Sequence, residues 1–368
     1  MLLILNFSQP VTAQSVLDSG PEDDFHYAAY LDLSYPANFN SSDPHPWRSK
    51  VTTNRLSEFS PNMGMFTLRK EATAESPWGI ELGGQGGYDT EGQMPLVSPM
   101  KGADVMRYFS RANVSYQTDV GNGLKFVGGL MGSFLGYESF YAKDNFNYTR
   151  SWMCDYSPYF LIGGGALYPV SDQVDLGFYV VSDYNYLDYV NSQPKYAGQS
   201  TWRITPNIKL MQNVFFGPQQ ENTAFQYWRG FSNSILEWAE DEYTIGFAYD
   251  IGSEKIAQSP SQVQSLWSGS ALFTRWNFYG PWTAGLRPEV YWDPNGTMTG
   301  SIQTIAAITS TLEYKLTEGG MNGRFRLEYR YDNSSGTQGG FYGAGGVDGP
   351  LVPGQSTVFF ALLLNYER

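Results

Sequence analysis

The chain has 368 residues and a net charge of −13, from 36 acidic and 23 basic side chains. That balance excludes a nucleic-acid partner, because phosphate binding needs clustered lysine and arginine. With 1 cysteine and 2 histidines there is no internal disulfide and no Cys/His metal centre, and apolar runs such as Val358 to Leu364 are far too short for a spanning helix. The 40 glycines, 27 tyrosines and 16% aromatic content suit a membrane β-barrel with aromatic girdles and a polar interior. A soluble β-sandwich or propeller shares part of that signature.

The elements follow in chain order. Leu2-Leu3-Ile4-Leu5 and the small residues Val11-Thr12-Ala13 make residues 1–13 read as a truncated secretion signal. Residues 14–24 form an extension before the first strand. Period-2 alternation then predicts strands at 25–36, 61–72, 77–88, 105–118, 123–134, 156–168 and 174–185. The second half gives 227–238, 243–252, 265–278, 281–293, 300–316, 322–333 and 355–367. Between the halves, 196–216 reads first as one long strand. As one strand it would move the short connections (73–76, 119–122, 169–173, then 239–242, 279–280, 317–321) to the other side of the barrel halfway along the chain. A break at Thr205-Pro206-Asn207, sound turn chemistry, restores the alternation of short and long connections. The expectation is therefore an all-β, closed antiparallel transmembrane barrel of about 16 strands over 25–368, with short periplasmic turns and longer outer loops.

The faces agree. Arg324 to Asp332 alternates without error, placing Arg324, Arg326, Glu328, Arg330 and Asp332 on one side and Phe325, Leu327, Tyr329 and Tyr331 on the other. Arg287 and Glu289 oppose Leu286 and Val290, and Arg107 and Arg111 oppose Tyr108 and Ala112. A charge on the lipid face costs roughly 2–4 kcal/mol at mid-depth, so these charged faces are expected to point inward.

Gly136-Tyr137-Glu138, Asn147-Tyr148-Thr149-Arg150-Ser151 and Ser157-Pro158-Tyr159 follow one another in an order that resembles the beta-barrel porin-2 family of Gram-negative outer-membrane proteins. Trp267-Ser268-Gly269 with Arg275, Arg287-Pro288-Glu289 with Asp293 and Gly296, and Arg326 to Asp332 fit the same pattern. The resemblance runs from about Asp24 to the end. It implies a passive outer-membrane channel without cofactor or metal, surrounded by outer-membrane lipid and passing small hydrophilic solutes and ions. A homotrimer is common among porins of this strand number.

Two groups of residues are candidates for function. The third outer loop, 135–155, is expected to fold inward as a constriction carrying Glu138, Lys143, Asp144 and Arg150, whose opposite charges would set a transverse field. The alternative is that its aromatics only pack it on the wall. The second group is the pore-lining set Arg107, Arg111, Arg287, Glu289, Arg324, Arg326, Glu328 and Arg330, which either biases solutes or braces the wall as a salt-bridged ladder. Competing functions are a plugged barrel serving as surface adhesin or scaffold, and an outer-membrane hydrolase using His26 or His45. Gly83-Gly84-Gln85-Gly86-Gly87 does not open a helix, which disfavours a phosphate cradle.

Overall fold

A computed structural model describes residues 25–92, 103–220, 223–257, 264–318 and 321–368; the expected signal and extension lie outside the described residues. Alternation has produced a closed barrel of 16 antiparallel strands. In chain order the first eight are β1 (His26–Asn38), β2 (Ser60–Lys70), β3 (Trp78–Gly86), β4 (Phe109–Gln117), β5 (Lys125–Gly132), β6 (Phe160–Ser171), β7 (Val174–Val181) and β8 (Lys195–Thr205). The rest are β9 (Ile208–Pro218), β10 (Trp228–Ala239), β11 (Tyr243–Lys255), β12 (Gln264–Tyr279), β13 (Trp282–Asp293), β14 (Gln303–Glu318), β15 (Met321–Ser335) and β16 (Gly354–Glu367). Each strand pairs with its chain neighbours, and β1 closes on β16 in a register that sets Leu33 opposite Leu362. Closure matters because an open edge would leave unpaired backbone groups in lipid.

The break at Thr205-Pro206-Asn207 is real: Thr205 pairs with Ile208, leaving Pro206 and Asn207 as a two-residue turn. Many outward side chains are large and apolar, among them Phe325, Leu327, Val290 and Leu312. Aromatic pairs mark one rim, with Trp78–Tyr116 and Trp282–Tyr314 each 4.8 Å apart and Tyr243 stacked on Trp276 at 5.9 Å. Phe216–Trp228 and Phe178–Tyr196 mark strand ends toward the opposite rim. Amphipathic rings at both boundaries are what a barrel seated in a bilayer requires.

One expected strand begins later than its alternation suggests. Residues Ala103–Tyr108 form a 3-10 helix, and β4 starts only at Phe109. Its ladder with β3 has an irregularity between Gly83 and Gly84 and stops at Gly84–Phe109, and beyond it the Gln85 side chain, not the β3 backbone, bonds the Arg107 carbonyl at 2.9 Å. Arg107 therefore sits off the wall, with its guanidinium on the carbonyl of Asp104 at 3.1 Å. It is not a strand residue facing the lumen.

The outer loops are locked to one another. Loop 1 (39–59) carries a small hairpin, His45–Pro46 with Arg55–Leu56, and loop 8 (336–353) another, Phe341–Tyr342 with Leu351–Val352. Arg48 of loop 1 donates to the Gly340 carbonyl at 2.7 Å, the Gln338 carbonyl at 2.9 Å and Ser301 Oγ of loop 7 at 2.8 Å. Trp47 reaches down to stack on Phe359 of β16 at 5.7 Å.

Candidate functional site: loop 3 against the inner wall

The charged faces of β13–β15 point inward, as alternation requires, but beside loop 3 their charges do not meet water. Arg287, Glu328, Arg330 and Asp332 are each 0% exposed. What covers them is loop 3, residues 133–159, slightly longer than the segment its sequence marks. A loop that enters a barrel must satisfy its own N–H and C=O groups there, since each one buried without a partner costs about 1–3 kcal/mol. The wall charges meet that demand.

Glu328 is the centre of the anchor. Its carboxylate accepts from the backbone N–H of Tyr148 at 2.5 Å and of Thr149 at 2.9 Å, from Thr149 Oγ1 at 2.5 Å and from Thr311 Oγ1 at 2.6 Å. Glu289 accepts from Trp152 N–H at 2.6 Å, and Asp332 from Trp152 Nε1–H at 2.6 Å. The arginines take the carbonyls. Arg326 donates to Ala142, Asn145 and Asn147 at 2.7, 2.8 and 3.1 Å while holding Glu313 at 2.7 Å. Arg330 donates to the Arg150 carbonyl at 2.9 Å and pairs with Glu289 at 3.0 Å and Asp332 at 2.9 Å. Arg287 binds the Thr149 carbonyl and the loop's own Glu138, both at 2.6 Å.

Inside the loop, Glu138 also accepts from Ser151 N–H at 2.6 Å, and Ser151 caps the short helix α1 (Trp152–Asp155) by accepting from Cys154 N–H at 3.2 Å. Opposite walls hold the other edges. Tyr137 Oη donates to Glu237 of β10 at 2.7 Å, Ser157 to Asp250 of β11 at 3.1 Å, Tyr141 to Gln85 of β3 at 2.7 Å and Tyr148 to Asp32 of β1 at 2.8 Å. Bare backbone makes room for this docking. A Cβ at Gly285 would stand 2.9 Å from the Phe146 carbonyl, and one at Gly246 would stand 2.6 Å from the Tyr137 ring. Loop 3 thus touches the wall on several sides, and every strand has at least one buried inward side chain.

The predicted residues divide accordingly. Arg287, Glu289, Arg326, Glu328 and Arg330 converge on loop 3. Arg324 stands below them and donates to the Lys143 carbonyl. Arg111 faces inward on β4, 3.9 Å from Glu81. Of the loop charges, Glu138 is engaged with the wall and Arg150 with Asp89 of loop 2 at 2.9 Å, while Lys143 and Asp144 pair with each other at 2.7 Å. Of the four loop charges only Glu138 closes directly on a charge of the wall, Arg287 at 2.6 Å. Sequence reasoning missed Asp32, Lys50, Asp89, Glu237 and Asp250. Lys50 donates to the Arg150 carbonyl at 2.8 Å and pairs with Asp155. The glycines carried a usable signal, since an isolated glycine in a strand marks close backbone approach. His45 is held by Asn38 at 3.0 Å and by the Asp43 carbonyl at 2.6 Å.

Asp89 ties loop 1 to loop 3, accepting from Thr53 N–H at 2.6 Å as well as from Arg150. Burial pushes its carboxyl up to about 6, against the opposing pull of the Arg150 guanidinium. Between the ordinary aspartate range and pH 6 the folded chain holds a proton that the unfolded chain has released, so this group's contribution to stability falls as pH rises through that window. Asp89→Asn is expected to flatten the stability profile between about pH 4 and about pH 6. An unaltered slope in thermal unfolding across that range would assign the titration to another group.

A closed, even-stranded antiparallel barrel with aromatic rims and a loop bonded to its inner wall defines an outer-membrane protein of the porin class. The family model described as "Putative beta-barrel porin-2, OmpL-like" matches residues 24–365, and the chain belongs to that family. Solved structures share the fold at low identity. The anion-selective porin from Comamonas acidovorans aligns with a TM-score of 0.57 at 10% identity, over 94% of this chain and 99% of that one. OmpT, an outer membrane protein of Vibrio cholerae solved in a trimer form, gives 0.54 at 10% identity over 94% and 98%. The outer membrane channel DcaP of Acinetobacter baumannii gives 0.52 at 8% identity over 94% and 96%. Among curated proteins none matches the sequence.

Proposed function

We propose that the protein is a passive, non-enzymatic outer-membrane channel for small hydrophilic solutes and ions, with loop 3 setting what passes. The observation that carries this reading is the docking of loop 3 on both the β13–β15 wall and the β10–β11 wall. On this reading the loop, bonded to opposite walls, is the element that narrows the path of a solute through the barrel. Family membership supports the same reading. On it, the inward charges brace the loop and only those outside the docked region meet solute. The trimer form of the Vibrio cholerae relative supports a homotrimer, and secretion across the inner membrane would precede insertion.

A second reading is favoured by a specific observation: buried inward side chains on every strand suit a barrel closed at rest, acting as a surface scaffold. Single-channel recording in a planar bilayer separates the two. Discrete conductance steps from folded protein, with a reversal potential under a salt gradient, are expected of the channel. Folded protein that inserts and never conducts would establish the scaffold reading instead.

A further inference from the structure

We propose that the inner wall below loop 3 holds an anion site formed by Arg275 of β12, Lys315 of β14 and Arg324 of β15, for a small oxyanion of carboxylate or phosphate type. This rests on the channel reading, because it supposes that solute reaches the lumen. The register sets Lys315 directly opposite Arg324, and Glu313 directly opposite Arg326. Arg275 lies opposite Gly285 of β13, whose other neighbour is Thr311. Arg275 lies two strands from Lys315, with β13 between them, while Lys315 and Arg324 are on paired strands; all three are half-buried.

Their partners are neutral. Arg324 donates to the Lys143 carbonyl, Lys315 Nζ to Asn277 Oδ1 at 3.2 Å, and Arg275 lies over the Phe146 ring at 5.9 Å. Among the described residues none of the three has a carboxylate within 4.0 Å. Glu313 acts electrostatically on all three but is in direct contact only with Arg326, and Asp144 at the loop edge is engaged by Lys143. Like charges directly opposite on paired strands are destabilising. A few residues away, Arg287, Arg326 and Arg330 are all matched to carboxylates. The same wall therefore gives each upper cation its own ion pair and leaves the three lower ones to share the field of Glu313, which Arg326 already holds, so positive charge is in excess there; departures of this kind from local rules concentrate at functional sites. Two guanidinium forks flanking an ammonium offer bidentate donors to an oxyanion, which a chloride ion cannot use as well.

The test compares wild type with Arg275→Gln/Lys315→Gln/Arg324→Gln in planar bilayers, with Arg275→Gln alone as a second variant should the triple variant not fold. The anion-to-cation permeability ratio is expected to fall by about tenfold in the triple variant and part-way in the single one. Inorganic phosphate is expected to reduce wild-type conductance in a saturable way and to leave the triple variant unaffected. Equal permeability ratios with equal phosphate block would overturn the site while leaving the channel intact. Absence of wild-type conductance would instead overturn the channel reading. The site would then be tested by calorimetric titration of the detergent-solubilised protein with phosphate, where identical heats in wild type and variant would rule it out.

Discussion

Glu328→Ala is expected to raise single-channel conductance several-fold while leaving the barrel folded. The carboxylate receives four hydrogen bonds, two of them from loop 3 backbone N–H groups. Removing it strands those donors beside Arg330, whose charge it helps to offset. Losing one member of a buried, charged network costs about 3–5 kcal/mol. The barrel does not bear that cost alone, because the ladder hydrogen bonds of β15 to β14 and β16 use the main chain and survive the substitution. The cheapest relief is for 147–152 to leave the wall and hydrate. Protease cleavage within loop 3 should rise in parallel. Wild-type conductance together with wild-type resistance to cleavage would show that Glu328 does not hold the loop.

Gly285→Val should give the same outcome by a different route, with no charge altered. The new Cβ would meet the Phe146 carbonyl at 2.9 Å, a backbone atom that cannot rotate aside. Overpacking of this kind costs about 1–3 kcal/mol, and here the displaced partner is a loop while the wall is a hydrogen-bonded sheet. Gly246→Val should act more weakly, since it meets the far end of the Tyr137 ring, which can swing away at the expense of its bond to Glu237. The expected order of conductance is Gly285→Val above Gly246→Val above wild type. A Gly285→Val protein that conducts like wild type, with loop 3 demonstrably shifted, would mean that the loop is not the barrier.

The alternation at Arg324 to Asp332 was sufficient to assign faces, because successive side chains on a strand have no choice but to oppose. The turn at Pro206-Asn207 was equally legible, being local chemistry acting on a local break. Arg107 was not legible. Its residues alternate like a strand, but a strand also needs a ladder, and the pairing of β4 with β3 stops at Phe109 after an irregularity at Gly83–Gly84. Nor did the sequence reveal what the inward charges face. Glu328 and Tyr148 lie 180 residues apart, and no spacing rule reaches across that gap.

The sequence by itself determined a barrel of about 16 strands and, Arg107 apart, the side to which its lining charges point, since a two-residue period and turn chemistry are properties of neighbouring residues; the outer-membrane setting followed from that pattern together with the family's motifs. Only the tertiary structure decided that Arg287, Glu328 and Arg330 serve loop 3 and not open water, and that Arg275, Lys315 and Arg324 lie beneath it without an ion pair of their own. Both outcomes depend on which backbone groups a folded-in loop brings within hydrogen-bond distance of the wall. That is settled by the packing of elements far apart in the chain.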